Sequence, residues 1–125
     1  MTVSVKNNHL KVLNIWNVTH CGQVIDTNGA DQQVKGCLIW GLSCALREEI
    51  TSQNHLVAQN NFHDYQVARM IDIPELHNEF IKRTRRPTGL GEPAVSGVAP
   101  ALSNAVFAAT GKRYRTLPLN QYLVI

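Results

Sequence analysis

The sequence predicts an α+β fold: a single two-layer domain with two main helices packed on a mixed, largely antiparallel sheet. Three observations carry that expectation. Two stretches, about 30–49 and 98–110, place apolar residues at three- and four-residue steps. Alternating or apolar runs, bounded by asparagine and glycine, lie around them. The chain has 125 residues, which suits one core, so residues 1–125 read as one unit without repeat, linker or low-complexity tract.

Thr2 to Lys6 and Leu10 to Val18 flank Asn7-Asn8, and asparagine tolerates left-handed backbone, so a hairpin is expected. Its second strand is almost continuously apolar (Val12, Leu13, Ile15, Trp16, Val18), as a strand covered on both faces would be. Cys21-Gly22 ends it, and Asp26-Thr27-Asn28-Gly29 offers several helix N-caps. The helix over 30–49 buries one stripe of Val34, Cys37, Leu38, Gly41, Leu42 and Leu46. Gly36 and Gly41 are poor helix formers, which points to close approach by a neighbouring backbone.

A second hairpin is expected where Ile50-Thr51-Ser52 and Leu56-Val57-Ala58 flank Gln53-Asn54-His55. Asn61 to Ile73 lacks periodicity and reads as an ordered loop. Glu75 to Lys82 reads as a strand leading to the basic loop Arg83 to Gly91. The second helix, Val98 to Thr110, has Gly111 as its C-cap, and Tyr114 to Leu119 reads as a last short strand.

Composition narrows the function classes. Hydrophobic content of 44% suits a folded domain, and no apolar run approaches the roughly 20 residues that span a bilayer. Met1 to Lys11 has no apolar signal core, and the three cysteines cannot all pair. Reduced thiols in the cytoplasm are the simplest expectation, with export beside a signal-bearing partner left open. Residues 1–81 hold five Lys or Arg against eight Asp or Glu, whereas residues 82–125 hold seven against Glu92 alone. The cluster Lys82-Arg83-Thr84-Arg85-Arg86 has no interleaved aromatics for base stacking, so a solvated loop is expected rather than a nucleic-acid patch.

Within that basic third, Gly89-Leu90-Gly91-Glu92-Pro93 sets one carboxylate between a glycine turn and a helix start. Glycine permits close backbone approach, and proline suits the first helical turn. Glu92 is therefore read as held by stiff local geometry; the plain alternative is a carboxylate that only favours a helix N-terminus. His20-Cys21 lacks a C-x-x-C companion, so no protein-held metal site is expected. Cys21 reads as a buried turn residue, His63 as a loop residue bonding Asp64 or a carbonyl, and Trp16 and Trp40 as core or subunit-contact aromatics.

The longer string resembles a known family. Gly89 to Pro93, then Val98-Ala99-Pro100-Ala101-Leu102-Ser103-Asn104-Ala105-Val106-Phe107-Ala108-Ala109-Thr110-Gly111-Lys112-Arg113 and Leu117-Pro118-Leu119, is similar to the C-terminal end of molybdenum hydroxylase large subunits. These are the xanthine dehydrogenase and aldehyde oxidase family, and the isoquinoline 1-oxidoreductase beta-subunit branch looks most similar. Cys21-Gly22-Gln23-Val24-Ile25 with Gln33-Val34 and Gly41-Leu42, and Asn61-Phe62-His63-Asp64-Tyr65 with Arg69 and Pro74, agree with it in order from Leu10 to Leu119.

The resemblance implies a C-terminal part of a molybdopterin cofactor-binding domain, acting on N-heterocycles or aldehydes. Glu92 falls where the family's glutamate takes a proton from a metal-bound hydroxide, a general-base role tuned by partial burial. Gln33 falls where a glutamine amide contacts the pterin, and Gly91 is the second residue expected to bind the cofactor. The implied cofactor is a molybdenum–pterin, present in the complete enzyme and not expected in the isolated chain. The implied partners are the remaining domains of the molybdenum-binding subunit and an iron–sulfur subunit, with a homo-oligomer also possible for the chain alone. The chain departs from the family pattern at His20 (usually Asp), Lys35 (usually Glu), Cys37 (usually Gly) and Ser96-Gly97 (usually a proline pair). A non-catalytic, stand-alone remnant that folds and self-associates or binds a partner is the other expectation.

Overall fold

A computed structural model describes all residues, Met1–Ile125. Its elements are β1 (Thr2–Lys6), β2 (His9–Thr19), α1 (Thr27–Leu46), β3 (Ser52–Gln53), β4 (Leu56–Val57), β5 (Glu75–Phe80) and α2 (Val95–Thr110), with 3-10 turns at Met70–Asp72 and Leu119–Gln121. The main sheet runs β1-β2-β5, and β3-β4 forms a separate small hairpin.

β1 and β2 pair antiparallel through Asn7 and Asn8, both left-handed at φ 49° and 66°. The register shifts between Thr2↔Asn14 and Val3↔Val12, leaving Leu13 as an extra residue on β2. That bulge changes which side chains face inward: Leu10 and Val12 are buried before it and Ile15 after it. It also corrects the expectation of a strand covered on both faces, because Leu13, Trp16 and Val18 lie on the open side at 40%, 54% and 65% exposure. Trp16 stacks there on His77 of β5, with ring centroids 5.3 Å apart and planes 10° from parallel. Trp40 is likewise half exposed, so neither tryptophan is a core residue.

β5 pairs with β2 in parallel, from Asn14↔Glu75 to Thr19↔Phe80. Parallel neighbours need a long crossover, here supplied by α1 and the segment behind it. α1 is capped by Asp26, whose carboxylate accepts the Gly29 N–H at 3.0 Å, and its predicted stripe is buried. α2 buries Val98, Leu102 and Val106 four residues apart and ends on Gly111 at φ 71°. Both helices lie on one face of the sheet over a shared core with Leu42, Leu102 and Leu119 fully buried. Gly41 marks the helix crossing: a β-carbon there would sit 2.9 Å from the Val95 carbonyl oxygen and from Val98. Gly36 has no such neighbour within 4 Å, so close approach explains only one of the two helical glycines.

Two local expectations are corrected. α2 begins at Val95, and Pro93 belongs to the turn that precedes it, closed by the Val95 N–H donating to the Glu92 carbonyl at 3.0 Å. Tyr114 to Leu119 is not a strand. Pro118 has no N–H for a ladder, and the following turn buries Leu119 and Leu123. Sheet pairing at this end comes later, where Val124 bridges His9 in parallel and accepts the Leu10 N–H at 2.8 Å.

Candidate functional site

Three blocks that are far apart in the chain are linked along the segment 85–91 that leads into α2. The first is the turn after β2. Gly22 holds φ +78°, and a β-carbon on it would lie 2.3 Å from the Arg86 carbonyl oxygen. The flanking backbone zips to the basic loop, the Gln23 N–H donating to Arg85 O and the Thr88 N–H to Cys21 O, each at 2.9 Å. Cys21 itself is buried, as a turn residue would be. The loop is thus pinned by its backbone while the side chains of Lys82, Arg83, Arg85 and Arg86 stay exposed.

The second block is the exposed-to-buried shoulder of α1. Gln33 and Cys37 are one turn apart and so share a face. The Gln33 amide donates to the Gly91 carbonyl at 2.8 Å, and the Cys37 thiol donates to the same oxygen at 2.8 Å. The third block is Gly89 to Pro93, which these two donors hold by one carbonyl. Gly91 and Glu92 are exposed, and Leu90 packs against the core. The expected partial burial of Glu92 is therefore corrected: in this chain its carboxylate faces solvent. Neither Gly89 nor Gly91 is left-handed, and a β-carbon on either would meet nothing within 4 Å. Their smallness is not used by the chain's own packing, and it leaves open room beside a hydrogen-bonding edge.

That edge suits a heterocyclic group. Gln33 keeps its second N–H and its amide oxygen free beside the accessible Gly91 backbone, and Glu92 is the next residue along the chain. No three His, Cys, Asp or Glu side chains come together in a way that could hold a metal ion. Residues of this kind can hold an organic group by its edge and supply one base.

The block Asn61-Phe62-His63-Asp64-Tyr65 is not part of this site. It packs at the far end of α1, where Tyr65 donates to Glu48 Oε2 at 2.6 Å and the Ala68 N–H donates to Ser43 Oγ at 2.8 Å. Asp64 closes the turn by accepting from the Asn60 and Asn61 N–H groups, and those bonds, Asn61's first, hold its carboxyl below the usual carboxylate range. His63 lies 3.7 Å from Asp64, beyond hydrogen-bond reach, so it sits in the loop as expected but without the expected bond. Lys35 pairs with Asp31 one turn back at 2.6 Å, and that bond foremost lowers the Asp31 carboxyl.

Cys37 was legible only as a buried thiol of the helical stripe. Its spacing from Gln33 was visible, but a shared acceptor on a distant loop has no local signature.

Comparison with known proteins gives the family. A family described as molybdopterin cofactor-binding domain matches residues 1–74. The chain belongs to the molybdopterin cofactor-binding domain family. It is 41% identical over 98 residues to the membrane-bound aldehyde dehydrogenase (pyrroloquinoline-quinone) of Gluconacetobacter polyoxogenes, covering 78% of this chain and 13% of that protein. Isoquinoline 1-oxidoreductase subunit beta of Brevundimonas diminuta is 31% identical over 116 residues, covering 93% and 15%. The fold is also that of part of quinoline 2-oxidoreductase from Pseudomonas putida 86, with a TM-score of 0.80 at 20% identity over 88% of this chain and 15% of that one. The chain thus spans about a seventh of the length of the curated relatives it matches. No helix is long and apolar enough to cross a membrane.

Proposed function

We propose that this chain is the C-terminal cofactor-binding segment of a molybdenum-dependent hydroxylase acting on aldehydes or N-heterocycles, with Glu92 as its general base. The observation that supports the reading is that Gln33 and Cys37 hold the Gly91 carbonyl while Cys21–Gln23 pins the Arg85–Thr88 backbone just before it, so three blocks of family-like sequence are tied to one loop. When bound, a molybdenum–pterin group supplies the two-electron acceptor and the oxygen-transfer chemistry. The chain's own part is positional and basic. Gln33 and Cys37 fix the peptide before Glu92, so the carboxylate is carried on a restrained backbone. The free edge of the Gln33 amide meets the pterin. Glu92 then takes one proton from the oxygen that attacks an electron-poor carbon, a contribution of about 10²- to 10⁴-fold.

On this reading the substrate side of the site, and the cover that would shield Glu92, belong to the remaining domains of the molybdenum-binding subunit. An iron–sulfur subunit receives the electrons, and the isolated chain carries no cofactor and no activity. Co-production with those two partners tests it. The expected result is a complex holding one molybdenum and one pterin and oxidising an aldehyde or an N-heterocycle. A stable complex without molybdenum, or one holding pyrroloquinoline quinone instead, overturns the reading and leaves a partner-binding module.

A further inference from the structure

We propose that the free edge of β5 is a self-pairing surface, by which two copies of this chain join antiparallel into one continuous sheet. The inference is independent of the chemistry at Gln33 and Gly91. β5 has β2 on one side and no other strand of this chain on the other. The Ile81 N–H donates to Thr19 O of β2, so by strand alternation the backbone groups of Glu75, His77 and Glu79 face β2 as well. Leu76, Asn78 and Phe80 therefore turn their N–H and C=O groups outward. Open grooves of about 650 and 570 Å³ run along this edge, walled by Thr27, Asp31 and Lys35 of α1 in one and by Gln23 and Lys82 in the other.

Edge strands are usually blocked by proline, lysine or a bulge. β5, ELHNEF, contains none of these, and its only charged side chains are Glu75 and Glu79. The opposite edge, β1, ends on Lys6 and sits at the shifted register of the Leu13 bulge.

Side chains choose the occupant and the register. For the three outward residues to face their counterparts, the strands must be offset in steps of two. Centring the two-fold on Asn78 places Leu76 opposite Phe80 of the second copy, Asn78 opposite Asn78, and His77 opposite Glu79. Each outward pair then exchanges both backbone hydrogen bonds. Shifting one way sets Glu75 against Glu79, and shifting the other way sets Glu79 against itself; like charges directly opposite are destabilising. Only the centred register matches apolar with apolar on the helix side and acid with imidazole on the outer side. The strand is complementary to its own copy, as a two-fold interface requires.

Sedimentation of the chain across a concentration series tests this with three variants. The wild type is expected to dimerise. Asn78→Ala removes the side-chain bonds to Asn17 and Asp31 but keeps the backbone N–H, so the dimer should persist. Asn78→Pro deletes the outward N–H, a change an edge strand tolerates, and should weaken dimerisation by roughly ten- to hundredfold, as expected for two lost hydrogen bonds. His77→Glu should weaken it too, by setting acid against Glu79, and adding Glu79→His to that variant should restore it. The charge swap keeps the test decisive if Asn78→Pro fails to fold. A wild type that stays monomeric overturns the proposal. So does a dimer indifferent to His77→Glu. Protection of the β5 amides only when the rest of a molybdenum subunit is co-produced would give the edge to that partner instead.

Discussion

Gln33 and Gly91 stand 58 residues apart in sequence and 2.8 Å apart in space, the amide of one donating to the carbonyl of the other. Cys37 donates to the same oxygen. A carbonyl has two lone pairs, so both donors can be satisfied at once. Their shared acceptor makes them energetically coupled. Gln33→Ala and Cys37→Ala should each destabilise the chain by about 0.5–1.5 kcal/mol, the net worth of one hydrogen bond, with the buried thiol also losing packing. The double variant should lose less or more than the sum by about 0.5 kcal/mol or more. Urea unfolding measures the cycle, and faster amide exchange at Gly91 and Glu92 in each variant would locate the effect. Strict additivity with unchanged exchange would mean that the clamp does not restrain the loop.

Glu92→Gln keeps the shape of the side chain and removes the base. In a complete, molybdenum-loaded complex turnover should fall by about 10² or more. Stability should change by no more than roughly 0.5 kcal/mol, since the side chain is exposed and outside the core. Near-wild-type turnover would end the catalytic assignment. Single-turnover kinetics at saturating substrate separate this from a binding defect.

Gly22→Ala meets two obstacles at once, a left-handed φ and a carbonyl oxygen 2.3 Å from the new β-carbon. The neighbour is backbone and cannot swing away. A loss of about 2 kcal/mol or more is expected, read by thermal or urea unfolding. Since the same turn anchors the basic loop, exchange at Thr88 should rise with it. A neutral outcome would show that the loop is free to retreat.

The two helices and both hairpins are legible in the sequence because their signals are local: Asp26 as a cap, Gly111 as a stop, Asn7-Asn8 and Asn54-His55 as left-handed turns. The direction in which β5 joins β2 is not, since Leu76 and Phe80 alternate alike in either orientation and the crossover decides it. The Tyr114–Leu119 segment shows the opposite failure, a strand-like pattern whose apolar groups anchor a turn in the core. At the candidate site, the family resemblance is what points to Gln33, Gly91 and Glu92. It does not give their mutual arrangement, because a helical glutamine carries no mark of the loop it holds.

Alkaline pH should weaken the far end of α1. Hydrogen bonding to Glu48, with burial second, pushes the Tyr65 phenol up from 10.0 to about 12. The folded chain keeps that proton where the unfolded chain releases it, so the contribution is whole below pH 10 and is lost as pH rises through about 12. Cys44, 3.6 Å from the same carboxylate, is raised chiefly by burial and adds to the trend. Urea unfolding between pH 9 and 12 should show wild type losing its advantage over Tyr65→Phe across that window. A constant difference would mean that the phenol is not tied to Glu48 in solution.

The stacking of Trp16 on His77 has a consequence for the order of events in folding. Its two rings lie on strands paired in parallel, 61 residues apart, whereas β1 and β2 meet across a two-residue turn. Local pairings form early, and distant ones wait for the intervening chain to close. Trp16 therefore sits on the early hairpin with its face bare until β5 arrives. In a Trp40→Phe background its fluorescence should lag the far-ultraviolet dichroism during refolding, so that one side chain reports when the last strand of the sheet is laid down.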